Sequence, residues 1–349
     1  MNENIRIKFV KEINELAVYK TKFFVVIDFE KKKPLIFREN NLLSGNQIKF
    51  KIGNHKNYKK QKFKDKIKSY FEIIPFEFSS YKKIFEKVKS ELRKGNTYLL
   101  NLTFSTQIKL KTTMERIFFD SKSNYKLYFK NSFLCFSPEC FIKIKKNKIF
   151  SYPMKGTIRS DLKNAKKRIL NDKKEIEEHS TIVDLIRNDM SFFAKNVRVN
   201  KFRFLKKINS NKSPLLQVSS EIEGKLDKDW RNYLGEIIWE MLPAGSISGA
   251  PKNKTLEIIK DVEIHKRGYY TGIFGYYDGE TFDSAVTIRY IEKLKNKYFY
   301  KSGGGITYNS KTKNEYKELI NKIYVPIIWI YLYRKLPNKI IRISSEKNG

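Results

Sequence analysis

From Thr97 onward the extended and helical stretches of this chain come in groups and do not alternate strictly. That order favours antiparallel or mixed sheets flanked by helices, an α+β fold. The run Phe23–Phe29 reads as a buried strand. Tyr81, Ile84, Phe85, Val88 and Leu92 follow helical spacing, and Gly95 falls where a helix C′ glycine belongs. Thr97–Ile108, Phe133–Ile144 and Phe150–Met154 read as extended, and Asp172–Ile186 as helical. After a basic, irregular stretch around Lys206–Ser213, Leu215–Ile222 reads as a strand, followed by helices over Trp230–Met241 and Lys252–Val262. Tyr269–Tyr277, Ser284–Ile291 and Lys297–Lys301 read as consecutive strands, with a last helix from Asn314.

No linker, repeat or heptad run divides the 349 residues, so one continuous globular unit is expected. With 40% hydrophobic and 14% aromatic residues the chain can bury a sizeable core, which excludes disorder. Lys and Arg number 72 against 37 Asp and Glu, a net charge of +35. The lysines are scattered from Lys31 to Lys146 and beyond, and they accompany abundant Ile, Asn, Phe and Tyr. An AT-rich genome encodes that residue set by default, so the charge does not argue for a nucleic-acid partner. Cys135 and Cys140, five positions apart, suit neither a redox pair nor a zinc knuckle. Unpaired thiols, an N-terminus without a basic, apolar leader, and no apolar run near the roughly 20 residues of a bilayer span point to the cytoplasm, with no membrane association. The most apolar stretch is only Val325–Tyr333.

Several residues could carry chemistry. Glu175 and Glu178 share a face of one predicted helix, and Glu315 and Glu318 repeat the spacing on the last. Converging helices of this kind would offer the oxygen ligands that Mg²⁺ prefers. The loop Gly245-Ser-Ile-Ser-Gly249-Ala-Pro251 opens into a helix whose free N–H groups could bind an anion. The run Gly303-Gly304-Gly305 reads as a strand end that lets a ligand approach the backbone. Neither glycine cluster fits a dinucleotide fingerprint or a P-loop, so a carboxylate is as good an anion as a phosphate. Lys155 sits beside Gly156, and a lysine nucleophile would need its pKa lowered from about 10.4. Glu139, in Ser137-Pro138-Glu139, is a candidate acid.

Together these segments resemble the chorismate-utilising enzymes, which comprise anthranilate synthase component I, aminodeoxychorismate synthase component I and isochorismate synthase. The blocks that carry the resemblance are Ser137-Pro-Glu139, Pro153-Met-Lys-Gly-Thr157 and Glu178-His-Ser-Thr-Ile-Val-Asp-Leu-Ile-Arg-Asn-Asp189. They continue through Gly245-Ser-Ile-Ser-Gly-Ala-Pro-Lys252, Arg267-Gly-Tyr-Tyr-Thr-Gly272 with Ile288-Arg289, and Gly303-Gly-Gly-Ile with Glu315-Tyr-Lys-Glu318. Gly95-Asn-Thr-Tyr-Leu-Leu-Asn-Leu-Thr103 is similar to an earlier strand of the family. The likeness is dense from Gly95 to Ile323 and faint before Ser80. It implies two antiparallel sheets in a sandwich flanked by helices, with the active site between them. It further implies residues 1–80 as a divergent part of the same unit, 81–330 as the chorismate-binding catalytic domain and 331–349 as a basic C-terminal tail.

By that resemblance Glu178 and Glu318 would be Mg²⁺ ligands, supported by Glu175 and Glu315. Gly156, Thr157, Tyr270, Arg289 and the amides of Gly303, Gly304 and Gly305 match positions that contact chorismate. A guanidinium at Arg289 can grip a carboxylate with two parallel hydrogen bonds. Glu139 matches the acid that assists departure of the 4-hydroxyl, and Lys155 matches a nucleophile. Anthranilate synthases usually have Ala in the Lys155 slot, whereas aminodeoxychorismate synthases have Lys, which attacks C2 so that ammonia can add at C4.

The chain departs from the family in places. Gln217 stands where His is frequent, Ser248 favours neither subgroup, and Leu42-Leu43-Ser44 only partly echoes a tryptophan-regulatory element. No glutaminase segment is evident, so a separate glutamine amidotransferase subunit, or ammonia in solution, is the implied nitrogen source. The expectation is amination of chorismate at C4, for p-aminobenzoate and folate synthesis. The alternatives are anthranilate synthesis by amination at C2 and, more remotely, a basic nucleic-acid-binding protein on a decayed enzyme scaffold.

Overall fold

The computed structural model describes residues 2–44, 47–59, 61, 63, 65, 67, 69–208 and 215–326. In chain order, α1 (Asn2–Val18) precedes β1 (Phe23–Ile27), β2 (Leu35–Arg38), α2 (Glu39–Ser44), β3 (Ile48–Ile52), β4 (His55–Lys56) and β5 (Phe71–Ile74). Next come α3 (Phe78–Arg93), β6 (Leu99–Leu110), α4 (Met114–Asp120), β7 (Tyr125–Phe129), β8 (Phe133–Ser137), β9 (Cys140–Lys145), β10 (Lys148–Ser151) and β11 (Met154–Arg159). They are followed by α5 (Ala165–Leu170), α6 (Lys173–Ser191), β12 (Lys195–Ile208), β13 (Leu215–Lys225), α7 (Leu234–Glu240), β14 (Gly249–Ala250) and α8 (Lys252–Val262). The last elements are β15 (Ile273–Tyr277), β16 (Phe282–Val286), β17 (Tyr290–Leu294), β18 (Lys297–Thr307) and α9 (Thr312–Asn321).

Among the described residues the strands form two nine-stranded sheets. The first runs β11-β13-β10-β9-β16-β15-β1-β2, with β12 also on β13. The second runs β14-β6-β18-β17-β8-β7-β3-β4, with β5 also on β6. The pairings are antiparallel, for example β1 on β15 and β18 on β6. The first 44 residues supply strands to the first sheet, and β3 and β4 join the second.

Alternation along β1 shows how the layers are built. Phe23, Val25 and Ile27 enter a cluster with Ile13 of α1, Val183 of α6 and Ile238 of α7. Phe24 and Val26, pointing the other way, pack with Phe50 of β3 and Leu127 of β7, between the two sheets. Phe24 stacks on Phe50 with ring centroids 4.3 Å apart. On the far side of the second sheet, Tyr81, Phe85 and Val88 of α3 meet Leu102 and Phe104 of β6 and Ile259 of α8. The α+β sandwich expected from the sequence is the one observed.

Element ends follow local chemistry. Asp172 caps α6, its Oδ1 accepting from the Glu175 amide at 3.0 Å. Gly95 adopts φ +75° just past α3, as its position implies. The structure corrects several readings. Phe150–Met154 spans the end of β10 and the start of β11, with Tyr152-Pro153 between them, and Tyr269–Tyr277 is strand only from Ile273. Phe133–Ile144 is two strands, separated at Pro138-Glu139. Ser284–Ile291 likewise breaks between β16 and β17. Trp230–Tyr233 is a 3₁₀ turn ahead of α7. Gly303–Gly305 lies inside β18 and does not end it. Lys206–Ile208 belong to β12, while residues 209–214 and the basic tail 331–349 lie outside the described residues.

Candidate active site

Lys155 lies near the start of β11, where the register against β13 slips between Lys155 and Thr157. Gly156 takes up the slip with φ +73°. A Cβ there would sit 3.2 Å from Glu175 Oε2, so the backbone passes close under α6 as only glycine permits. Thr157 is placed by its backbone, opposite Gln217 on β13.

The four glutamates come from two helices. Glu175 and Glu178 face β11 from α6, and Glu315 and Glu318 come from α9. Glu178 and Glu315 are buried. The Lys155 ammonium is ion-paired to Glu178. Lys174 bridges the helices, with Nζ 2.5 Å from Glu315 Oε1 and 3.6 Å from Glu178 Oε1. Lys322 pairs with Glu318 Oε1 at 2.7 Å and donates to the Gly303 carbonyl at 2.8 Å. Burial works against the Lys155 ammonium, but Glu178, with Glu175 and Glu318 near, holds its pKa above the ordinary lysine value. Burial pushes Glu175 up, helped by the neighbouring Glu178. Burial also disfavours the Glu318 carboxylate, yet Lys322 and the other ammonium groups keep it below the usual range.

Glu139 sits at the break between β8 and β9, where its amide donates to Ser137 Oγ at 3.0 Å. Its Oε1 accepts a hydrogen bond from Ser246 Oγ in the glycine-rich loop. Burial pushes this carboxyl up, although Ser246 and the nearby Lys155 partly oppose the shift. Part of the loop's backbone is already engaged. Ser248 N bonds Gly245 O, and Gly249 and Ala250 pair with β6. Arg267, fully buried, braces this loop. It grips Glu263 through Nε and Nη2, at 2.8 and 2.7 Å, and donates to the carbonyls of Ile247 and Asn101. Lys252 joins the loop to α6 through Asp189 at 2.5 Å.

Tyr270 is buried, and its ring lies 5.7 Å from that of Tyr290. Arg289 has φ +55°, an uncommon conformation for a residue with a side chain, and its Nε is buried without a hydrogen-bond partner. Its guanidinium lies 5.2 Å from the centroid of the Tyr324 ring. Residues 303–305 pair with β6 on one edge, while β17 leaves β18 after Lys301. The other edge of the glycine run therefore has no strand partner among the described residues. A Cβ at Gly305 would lie 3.0 Å from Glu178 Oε2 and 3.3 Å from Lys155 Nζ, and one at Gly304 would lie 3.4 Å from Glu318 Oε1. A pocket lined by Lys155, Gly305, Asn101, Ser246 and Ser248 opens between these elements, and Glu139 and Ser246 line its neighbour.

The structure thus brings Lys155, Gly156, the four glutamates and Gly303–Gly305 around one cleft, with Glu139 at its side. Sequence reading missed Lys174, Lys322 and Ser246 as participants. The lysines could have been found, since each stands four residues from a glutamate on its own helix. The pairing of Ser246 with Glu139 depends on the tertiary fold and leaves no local signal. Among the described residues no group of three or more Asp, Glu, His or Cys side chains is arranged to enclose a metal ion by itself.

An α+β sandwich with this carboxylate- and ammonium-lined cleft defines a class of enzymes, and the model of the chorismate binding enzyme family matches residues 10–327. The chain belongs to that family. It is 48% identical over 320 residues to an uncharacterised PabA-like protein of Haemophilus influenzae, covering 91% of this chain and 96% of the relative. It is 29% identical over 265 residues to aminodeoxychorismate synthase component 1 of Bacillus subtilis, covering 72% of this chain and 55% of that protein. Among solved structures, anthranilate synthase component I from Streptococcus pneumoniae superposes with a TM-score of 0.63 at 26% identity, over 75% of this chain and 60% of that one. No described helix is long and apolar enough to cross a membrane.

Proposed function

We propose that this chain aminates chorismate at C4, giving 4-amino-4-deoxychorismate for p-aminobenzoate and folate synthesis. The observation that carries the reading is the placement of Lys155, which points from β11 into the cleft between the glutamates and Gly305. Lysine is the residue that distinguishes C4 from C2 amination in the family it resembles. In this reading Lys155 Nζ forms a bond to C2, both conjugated ring double bonds shift toward C4, and the C4–O bond breaks. Glu139 gives its proton to the departing oxygen, which leaves as water. Ammonia then adds at C4 and the C2–N bond breaks, returning Lys155 as the free amine. The ammonia is assigned to a separate glutamine amidotransferase subunit.

Glu178 and Glu318 would hold Mg²⁺, with Glu175 and Glu315 in support. The donor set suits that ion, because Mg²⁺ is commonly held by one or two carboxylates plus water and substrate oxygens. Glu175 Oε2 is buried without a hydrogen-bond partner, and Glu178 Oε1 meets only the Lys174 ammonium at 3.6 Å without a hydrogen bond, which leaves acceptors that a metal cation would take. When bound, the metal would supply positive charge to a substrate carboxylate. Gly156, Thr157, Tyr270 and the free edge of Gly303–Gly305 would bound the ring, and Arg289 would take a carboxylate.

One observation favours a second reading. Lys155 is held protonated by Glu178, so it could act as a fixed charge, as in an enzyme that aminates C2 and releases anthranilate with pyruvate. Incubation with chorismate, Mg²⁺ and ammonium, followed by mass identification of the product, separates the two. Aminodeoxychorismate is expected, and anthranilate appearing without a separate lyase would overturn the C4 assignment.

A further inference from the structure

We propose that Tyr324 is a positioning residue whose ring holds the Arg289 guanidinium in the cleft while leaving its N–H donors to a substrate carboxylate; the inference rests on the chorismate reading above. Arg289 is half-buried, its Nε has no partner, and among the described residues no carboxylate is paired with it. The Lys322 ammonium is a like-charged neighbour of the guanidinium, and the buried Glu139 carboxyl is an oppositely charged neighbour that makes no ion pair with it. The Tyr324 side chain offers an attraction, through its ring 5.2 Å from the guanidinium carbon and through its hydroxyl, which also favours the charged guanidinium. An acidic side chain at that place would hold Arg289 more strongly but would neutralise it and occupy the fork that a ligand carboxylate needs. An aromatic face does neither.

The segment that carries the ring is itself anchored. Tyr300 Oη donates to the Tyr324 carbonyl at 2.9 Å, and the Lys122 amide donates to the Pro326 carbonyl at 2.7 Å. Ile323 is buried in the cluster with Tyr300 and Ile291, and Val325 packs against it. The backbone of Arg289 is fixed too, with its carbonyl accepting from the Phe136 amide at 3.2 Å. Both partners therefore project from fixed backbone, and only the Arg289 side chain needs holding.

The test measures chorismate binding by equilibrium titration, together with KM and kcat, for the wild type and for Tyr324→Phe, Tyr324→Leu and Tyr324→Glu. Phe keeps the π face and loses only the hydroxyl, so it should stay closer to wild type than Leu does. Leu keeps bulk without a π face and should raise Kd and KM roughly threefold to tenfold with kcat little changed. Glu should raise them further than Leu. Thermal unfolding of each variant confirms that the fold is intact. Wild-type affinity in Tyr324→Leu would overturn the inference, as would Tyr324→Phe failing as badly as Leu. A wild-type protein that does not bind chorismate at all would overturn the reading of the site, and this inference with it.

Discussion

Lys155 and Glu178 form an ion pair in the middle of the cleft, where Gly305 passes within contact of both. The residue assigned as nucleophile is therefore held as an ammonium by a residue assigned to the metal. Under the proposed function the amine attacks only once Glu178 is engaged elsewhere, which would couple cation binding to nucleophile release. Lys155→Ala should abolish any covalent chorismate adduct and most aminodeoxychorismate formation, with chorismate binding retained. Lys155→Arg should fail as well, because a guanidinium stays charged. Intact-mass analysis of quenched wild-type turnover checks for the adduct, and full activity in Lys155→Arg would reduce the lysine to a fixed charge.

Glu178→Gln and Glu318→Gln each remove one of the carboxylates proposed to hold Mg²⁺ while preserving shape. Turnover at limiting Mg²⁺ should drop at least about a hundredfold in each. Mg²⁺-dependent thermal stabilisation, measured without substrate, should shrink in parallel. A variant that keeps both properties does not hold the metal.

The Glu139 carboxyl is pushed up by burial, which keeps it protonated to higher pH than an ordinary glutamate. A step that needs its proton is lost as pH rises through that raised value. The Ser246 hydroxyl stabilises the ionised form and so opposes the shift. Ser246→Ala should move the descending limb of the rate profile to higher pH, and Glu139→Gln should cost about a hundredfold or more in kcat. An unchanged limb in Ser246→Ala would separate Glu139 from the pH dependence.

Two glycines should fail in different ways. A Cβ at Gly249 would lie 2.0 Å from the Leu99 carbonyl oxygen, with φ at +144°. Gly249→Ala should therefore cost on the order of 3 kcal/mol or more of stability, read from denaturant unfolding. At Gly305 the Cβ contacts are 3.0 Å to Glu178 Oε2 and to Leu99 Cδ1, distances that a side chain can yield. Gly305→Ala should keep most of the stability and lose at least about tenfold in kcat/KM. Comparable stability loss in both would mean that Gly305 is structural.

Legibility of the fold tracked how local its causes are. The α3 stripe, the Gly95 terminus, the α6 cap and the α8 limits follow from spacing and end chemistry within a few residues. Strand ends were harder: Pro138 is a local breaker inside Phe133–Ile144 that the strand reading passed over, while Thr287–Arg289 breaks a strand through tertiary contacts and carries no obvious turn residue. The α1 helix gave no signal strong enough to name, because its apolar positions, such as Phe9, Ile13 and Leu16, are diluted by lysine and glutamate. In the site, the glutamate pairs, the glycine runs and Lys155 could be seen as motifs, while Lys174 and Lys322 were lost among 72 basic residues. The loop beside Glu139 could be seen only as a glycine cluster, since its hydrogen bonds span more than a hundred positions.

The pairing of β1 with β15 sets Ile27 against Ile273 and Phe23 against Tyr277. A ribosome adding roughly 5–20 residues each second reaches the later strand more than ten seconds after the earlier one has emerged. Through that interval Phe-Phe-Val-Val-Ile, destined for complete burial, has no partner on its β15 edge. Contacts this remote in sequence also make for slow assembly once synthesis ends. Yield in a host cell should accordingly depend on chaperones that shelter nascent apolar segments, and slower growth at low temperature should recover more of the folded enzyme than stronger induction does.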